Sequence, residues 1–181
     1  MPVCYYISTW ITKLISYFRS IHSTFVTIMT QKFSIRIATQ ADAYTIANIY
    51  LISRKTYVSF APLNHSDTDI QHWIHDILIP SAQVLVVEQD GIMVGMMAII
   101  EKQKINWIDQ LYILPPHTGQ GIGSLLISKV KSLPLPIRLH TFQENLSARR
   151  FYDRHGFKIL AFSDGSENEE HCPDMLYEWR P

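Results

Sequence analysis

The chain has 181 residues, enough for one domain with a hydrophobic core of ordinary size. Lysine plus arginine and aspartate plus glutamate number 16 each, so the formal net charge is zero. This balance argues against a nucleic-acid partner, because nucleic-acid-binding domains are basic. The two cysteines, Cys4 and Cys172, lie far apart and outside any metal-ligand spacing. We therefore expect a reduced, cytoplasmic protein without a structural metal.

The first 30 residues differ from the rest. Residues 1–28 contain no acidic residue, and their apolar residues recur at helical spacing: Ile7, Ile11, Leu14, Ile15, Phe18, Ile21 and Phe25. Lys13 interrupts this run short of the roughly 20 residues of a membrane span. The segment is an extra helix, an interfacial membrane helix or a stretch upstream of a start at Met29. We favour an accessory or non-native leader over residues 1–30 rather than a membrane anchor, followed by one domain over residues 31–181.

The next part of the chain predicts a strand and two helices. Apolar residues alternate with polar ones at Phe33, Ile35 and Ile37, as in a half-buried strand. Capping boxes at 39–42 and 66–69 each open a helix. The predicted buried stripes are Ala43, Ile46, Ala47 and Tyr50 in the first helix, and Ile70, Trp73, Ile74 and Ile77 in the second, which ends at Pro80. The polar and aromatic stretch between them, 53–65, is either a simple connection or part of a ligand pocket.

Most of the elements predicted after residue 83 are strands. Asp90-Gly91 predicts a hairpin turn, and Asn145 and Gly156 suit the start and the end of a helix. The predicted strands are 84–88, 92–100, 105–114, 137–141, 157–162 and 175–179, and the predicted helices follow Gly121 and Asn145. The resulting order, β-α-α-β-β-β-α-β-α-β-β, indicates a mixed α+β sheet.

A glycine-rich stretch carries the strongest chemical signal. The run from Leu111 to Leu126 reads LYILPPHTGQGIGSLL, which is an apolar strand, a proline stop, three glycines and a helix start. Glycines at a helix N-terminus let a phosphate approach unpaired backbone N–H groups. A nucleotide-triphosphate loop requires a lysine that is missing here, and the G-x-G-x-G spacing fits a dinucleotide fold poorly.

The same run resembles the acyl-CoA-binding motif of the GNAT superfamily of N-acetyltransferases, in which Arg or Gln is followed by two residues, Gly, any residue, and Gly or Ala. Thr118 stands at the Arg/Gln position, as a departure, with Gly121 and Gly123 as the motif glycines. Residues 145–157, NLSARRFYDRHGF, resemble the superfamily's N-x-x-A-x-x-F-Y-x-x-x-G-F segment at every fixed position. The resemblance covers about residues 33 to 181 and implies a GNAT-like three-layer sandwich.

The resemblance implies an N-acetyltransferase that moves an acetyl group from acetyl-CoA to a primary amine by direct attack, without a metal. Tyr152 aligns with the superfamily's usual catalytic tyrosine, and a phenol with a pKa of about 10 stays protonated at pH 7 and can act as an acid. Main-chain groups of a splayed strand would bind the thioester and the pantetheine arm. The implied cofactor-binding residues are Leu111, Tyr112, Ile113, Thr118, Gly119, Gln120, Gly121, Ile122, Gly123, Ser124 and Asn145.

The sequence leaves several candidates for the general base and for the acceptor. Asp109 alternates with Leu111 and Ile113 and is predicted to act as a base or to orient the amine. The other candidates are Glu88, Glu101, His117 and His140. The acceptor is a small-molecule amine, or an amine of a protein, and the acidic residues of 164–170 favour a cationic one. The alternative is a non-catalytic acyl-CoA-binding regulatory module, which Thr118 would favour. A homodimer is compatible with either.

Overall fold

A seven-stranded mixed sheet with helices on both faces runs through residues 33–181, the part of the chain that the computed structural model describes. The strands are β1 (Phe33–Ile37), β2 (Gln83–Gln89), β3 (Ile92–Lys102), β4 (Ile105–Ile113), β5 (Ile137–Phe142), β6 (Lys158–Ser163) and β7 (Asp174–Trp179). The helices are α1 (Ala43–Tyr57), α2 (Asp67–Trp73), α3 (Ile122–Lys131) and α4 (Leu146–Arg154). This confirms the predicted order of elements and the α+β architecture. The expectations for residues 1–30 lie outside the described residues.

The sheet separates two hydrophobic cores, which makes the fold three-layered. Side chains on one face, such as Val86 and Met96, pack against Ile46 of α1 and Ile74, which follows α2. Alternate side chains on the other face pack against α3 and α4; they include Leu85, Val87, Met97, Leu126, Ile127 and Tyr152. Because successive strand residues point to opposite faces, one sheet can serve both cores. Within residues 33–181, no helix is long and apolar enough to cross a membrane.

Helix α2 departs from the predicted stripe. Its capping box forms, because the Asp69 backbone N–H donates to Ser66 Oγ over 3.1 Å. After Trp73 the chain makes a π-helical turn, Ile74–Leu78, before a last α-helical turn, Ile79–Ser81. A π-helical turn adds one residue to the repeat and shifts the buried stripe. The prediction that Ile77 is buried was therefore wrong: Ile77 is 57% exposed and Leu78 is buried instead.

Strands β4 and β5 lie side by side but separate soon after they meet. They are the parallel pair of the sheet, and their register holds only two pairs, Asn106 with Ile137 and Trp107 with Arg138. Beyond these pairs β5 hydrogen-bonds to β7 alone, along its whole length. The sheet is therefore split between the ends of β4 and β5, and the split leaves main-chain groups of β4 available.

A β-bulge interrupts β4 at Asp109. In the register with β3, Gln110 faces Ala98 and Ile108 faces Ile99, so Asp109 is the extra residue. Ile108 packs in the core with α3 and α4, and so does Leu111, although strict alternation would place them on opposite faces. The predicted alternation of Asp109 with Leu111 is therefore broken at Asp109 itself.

Candidate active site

The loop before α3 is shaped by glycines with different functions. Gly119 and Gly121 have φ of +76° and +88°, a left-handed conformation that side chains rarely adopt. Gly123 is helical, but a Cβ there would lie 3.0 Å from the Phe151 ring of α4. Gly121 thus turns the chain into α3, and Gly123 lets α4 pack closely. The first-turn N–H groups of α3 lack partners within the helix and carry its positive dipole end.

Thr118 is held by its neighbours at the mouth of this loop. Its hydroxyl donates to the Pro115 carbonyl over 2.9 Å, and the Tyr57 hydroxyl from the end of α1 lies 3.3 Å from the same oxygen. Gln120 turns back and donates to the Pro116 carbonyl over 3.0 Å. The loop therefore offers backbone donors more than side-chain donors to a ligand.

A cavity of about 640 Å³ lies in front of the loop, and we call it the glycine-loop cavity. Most of the residues predicted to bind the cofactor line it: Leu111, Tyr112, Ile113, Thr118, Gly119, Gly121, Ile122, Gly123, Ser124 and Asn145. Gln120 does not line it. Among the described residues, the titratable side chains that line this cavity are tyrosines, Arg154 and His117. None of them is a carboxylate.

A second cavity, of about 580 Å³, lies on the other side of the split. We call it the acidic cavity, because its lining includes Asp109, Glu167, Glu170 and Asp174. No lysine or arginine is among the described residues that line it, and His140 is its only histidine. The two cavities therefore carry opposite charge.

The cavities meet at one group of residues. Both are lined by Val58, Leu111, Tyr112, Asn145, Ala148 and Tyr152. Tyr152 is 7% exposed, and burial raises the pKa of its hydroxyl above the usual range. Burial also raises the pKa of Tyr112, whose ring contacts Tyr50 of α1 at 5.0 Å between centroids. A neutral proton donor thus stands where the two cavities join.

Main-chain groups of β4 also face the junction. Leu114 N donates to Val94 O, so the alternation of an antiparallel ladder makes Tyr112 a hydrogen-bonded partner of Met96. The main-chain groups of Leu111 and Ile113 then point away from β3, into the split. Buried Ser53 donates to the Ile113 carbonyl over 2.9 Å. The N–H groups of Leu111 and Ile113 therefore face the split.

The structure narrows the candidates for the base. Glu88 is 2.8 Å from Arg36, Glu101 lies near the β3–β4 turn outside both cavities, and His117 lines the glycine-loop cavity. Asp109 and His140 both line the acidic cavity. Asp109 is exposed and accepts from Gln110 Nε2 over 3.2 Å.

His140 is not an isolated histidine. Its ring stacks on Trp107 with centroids 5.8 Å apart, and its Nδ1 lies 3.7 Å from Asp174 Oδ2. The sequence did not predict that Asp174 lies beside His140, because Asp174 is on β7, which pairs with β5 in the sheet but is distant from it in the sequence. The acidic residues of 164–170 were expected to favour a cationic acceptor, and two of them, Glu167 and Glu170, line the acidic cavity.

Comparison with known proteins identifies the family. The family described as "Acetyltransferase (GNAT) domain" matches residues 80–159, which include β4, the glycine loop and α4. Residues 80–159 therefore belong to the GNAT superfamily. The chain is an acyl-CoA-dependent acetyltransferase.

This GNAT protein is similar to several known relatives. It is 26% identical over 145 residues to "Peptidyl-lysine N-acetyltransferase YiaC" of Escherichia coli, covering 80% of this chain and 95% of that one. PaiA N-acetyltransferase from Thermoplasma acidophilum, solved with coenzyme A, shares the fold with a TM-score of 0.66 at 19% identity, over 83% of this chain and 99% of that one. YncA from Salmonella typhimurium, solved with acetyl-CoA, shares the fold with a TM-score of 0.61 at 19% identity, over 82% of this chain and 94% of that one.

Proposed function

We propose that the enzyme transfers the acetyl group to a primary amine by direct attack, with Tyr152 as the general acid. The observation that supports this is the meeting of two oppositely charged cavities at Tyr152. The cofactor is anionic and suits the glycine-loop cavity, whereas an amine is cationic in water and suits the acidic cavity. Their shared residues would bring the thioester and the amine together.

The donor side can bind acetyl-CoA through backbone groups. The first-turn N–H groups of α3 would hold the pyrophosphate, since Gly121 leaves open space in front of them. The N–H groups of Leu111 and Ile113 would bind the pantetheine arm and the carbonyl oxygen, whose negative charge grows during attack. Acetyl-CoA supplies an activated acyl group, so the chain needs no covalent intermediate of its own.

Tyr152 would protonate the departing sulfur. A phenol with a raised pKa remains protonated at neutral pH and is therefore available as a donor. The proton that the new amide nitrogen loses restores the Tyr152 hydroxyl through water. The alkylammonium must first lose one proton to a base, so the transfer yields amide, thiol and one released proton.

Asp109 is our proposed base, acting through water, and His140 with Asp174 behind it is the competitor. We expect Asp109→Asn to lower kcat about tenfold for a simple amine, because an exposed base is partly replaced by solvent. KM for acetyl-CoA should not change. If His140→Gln lowers kcat instead, and Asp109→Asn does not, the base is His140.

The test of the proposed function combines binding with turnover. We expect acetyl-CoA to bind in calorimetry, and thiol release to occur with some member of a panel of primary amines. Gly121→Ala should weaken acetyl-CoA binding about tenfold or more, since its methyl group enters the space in front of the helix.

Gly91→Ala is the matched control, because Gly91 has a φ of +79°, has open space around it and lies in the β2–β3 turn. It carries the same backbone strain without touching the cavity, and should bind acetyl-CoA normally. Binding without turnover on any amine would favour the regulatory module and reject the proposed transfer. Equal binding by both variants would reject the glycine-loop site.

A further inference from the structure

We infer that His155 is a positioning residue for the acyl-CoA donor: it turns the proton of the Ser124 hydroxyl toward the donor's pyrophosphate, and does so most firmly when its own ring is protonated. This role rests on the proposed function, in which the start of α3 binds the pyrophosphate. His155 was not among the residues that the sequence predicted for the site. Donor affinity should consequently depend on the protonation of one histidine.

One side-chain hydrogen bond joins the first turn of α3 to the end of α4. Ser124 is the third residue of α3, and its Oγ lies 3.0 Å from Nε2 of His155, the residue that follows α4. Ser124 lines the glycine-loop cavity, whereas His155 does not. A ligand in this cavity therefore meets the hydroxyl group, with the imidazole behind it.

The imidazole is held in place from several sides. The backbone N–H of His155 donates to the Tyr152 carbonyl over 3.0 Å, and Lys131 Nζ donates to the His155 carbonyl. The half-buried ring also lies against Phe151, with centroids 4.6 Å apart. These contacts fix the end of α4 against α3, and they keep Nε2 directed at Ser124.

The Ser124 hydroxyl has one proton, and its direction depends on the imidazole. If His155 Nε2 accepts that proton, Ser124 presents an oxygen lone pair to the cavity. If Nε2 carries a hydrogen, it donates to Ser124 Oγ, and the hydroxyl proton is free for a phosphate oxygen. A neutral imidazole allows both arrangements, whereas a protonated one can only donate. Protonation of His155 therefore fixes the arrangement that suits an anion.

The charges around His155 set the direction of the pH effect. The charged groups that face it are Lys131, the last residue of α3, and Arg154, the last residue of α4. Burial lowers the pKa of the His155 imidazole, and these two positive charges lower it further. The ring of the free protein is therefore largely neutral at pH 7. A pyrophosphate beside Ser124 brings negative charge and raises that pKa, so donor affinity should increase as the pH falls.

The test measures the affinity of the full chain for dephospho-coenzyme A by calorimetry across pH. This probe keeps the pyrophosphate but lacks the 3′-phosphate, a monoester whose own ionisation near about pH 6 would add a second pH effect. We expect it to bind about fivefold more tightly at about pH 5.5 than at about pH 8, because binding strengthens the hold of His155 on its proton. In an NMR titration, the pKa of the His155 ring should rise when the probe is bound.

Two variants identify the groups responsible. His155→Gln can donate to Ser124 through its amide but cannot gain a charge, so it should bind like the wild type at about pH 8 and lose the increase at low pH. Ser124→Ala keeps the charge but lacks the hydroxyl, and should bind about fivefold more weakly at low pH. His72→Gln is the matched control, because His72 is exposed on α2 and lines neither cavity. It should keep the wild-type pH profile.

The outcomes separate this role from the proposed function. An affinity that does not change with pH, or a pH dependence that only His117→Gln abolishes, would overturn the role of His155 and leave the proposed transfer standing. His117 is the other histidine that lines the glycine-loop cavity. A pH dependence lost in His155→Gln but intact in Ser124→Ala would show that the charge acts without the hydroxyl, and would overturn the positioning role.

Two further results complete the test. Failure of both dephospho-coenzyme A and coenzyme A to bind at any pH would reject the glycine-loop site, and the role of His155 with it. If His155→Gln lowers the unfolding midpoint, the NMR titration of the wild type decides, since it needs no variant. A pKa of the His155 ring that does not rise on binding would then overturn the role.

Discussion

Replacing Tyr152 with phenylalanine is expected to lower kcat by about 100-fold or more, because the departing sulfur loses its proton donor. The ring itself should stay in place, since it packs against Phe151, Phe157 and Tyr177 with centroids 5.2 to 5.8 Å apart. Acetyl-CoA affinity should therefore change little. In the wild type, the raised pKa keeps Tyr152 protonated, so loss of its proton should not limit the rate until above about pH 10. Steady-state thiol release across pH measures both effects.

Tyr177→Phe provides the matched control for this experiment. Tyr177 is fully buried in the same aromatic cluster, and its hydroxyl donates to Asp153 over 3.2 Å, but it lines neither cavity. This variant loses a hydroxyl group from the cluster without losing the proposed acid, so its kcat should stay near the wild-type value. If both variants keep full kcat, another group protonates the sulfur and Tyr152 is only a packing residue.

Gly165→Ala is expected to lower the free energy of unfolding by about 3–5 kcal/mol. A methyl group at Gly165 would overlap the backbone of Cys172, including its nitrogen at 2.7 Å, and backbone cannot move aside as a flexible side chain can. Gly165 also has a φ of +85°, which adds conformational strain for alanine. Urea unfolding monitored by tryptophan fluorescence measures the change.

The Gly91→Ala variant separates the two contributions. Its φ of +79° is similar, but a methyl group there meets no atom within 4 Å. It should therefore cost only the conformational strain, about 1–2 kcal/mol. Equal losses in both variants would show that the β6–β7 loop shifts to accept the methyl group, in which case the loop is less rigid than its packing indicates.

Local chemistry made much of this fold predictable. Both predicted capping boxes form through contacts three residues apart, as in the 2.8 Å bond from Thr39 N to Asp42 Oδ2. The first box opens a 3-10 turn, Gln40–Asp42, that leads directly into α1. The turn at Asp90 and Gly91 forms because both residues adopt positive φ, of 52° and 79°. Such signals are contained in a few consecutive residues, so a single sequence reveals them.

Irregularities in the repeat were not predictable. The π-helical turn that exposes Ile77 and the bulge at Asp109 each insert one residue into a regular pattern. Neither has a strong local signature, because the surrounding packing decides where the extra residue is accommodated.

The candidate site also has a part that local sequence motifs predict and a part that depends on contacts between distant residues. The glycine loop and Tyr152 could be proposed from the sequence because each lies in a contiguous motif, and ten of the eleven residues predicted to bind the cofactor line one cavity. The bond between Arg54 and Glu170 joins residues 116 positions apart, and no periodic pattern in the sequence predicts it. The acceptor side is assembled from such distant contacts, so the sequence predicted its charge but not its shape.

The bulge in β4 lets one strand both pack its side chains in the core and turn main-chain N–H groups toward the split. Upstream of Asp109, the orientation of each side chain is fixed by the need to bury Ile108. Downstream, Leu111 and Ile113 can present their N–H groups to the split while their side chains still enter the same core. The extra residue acts as a spacer between the structural and the ligand-facing halves of the strand. Removing it should reverse the orientation of one half, whereas removing two residues would preserve it.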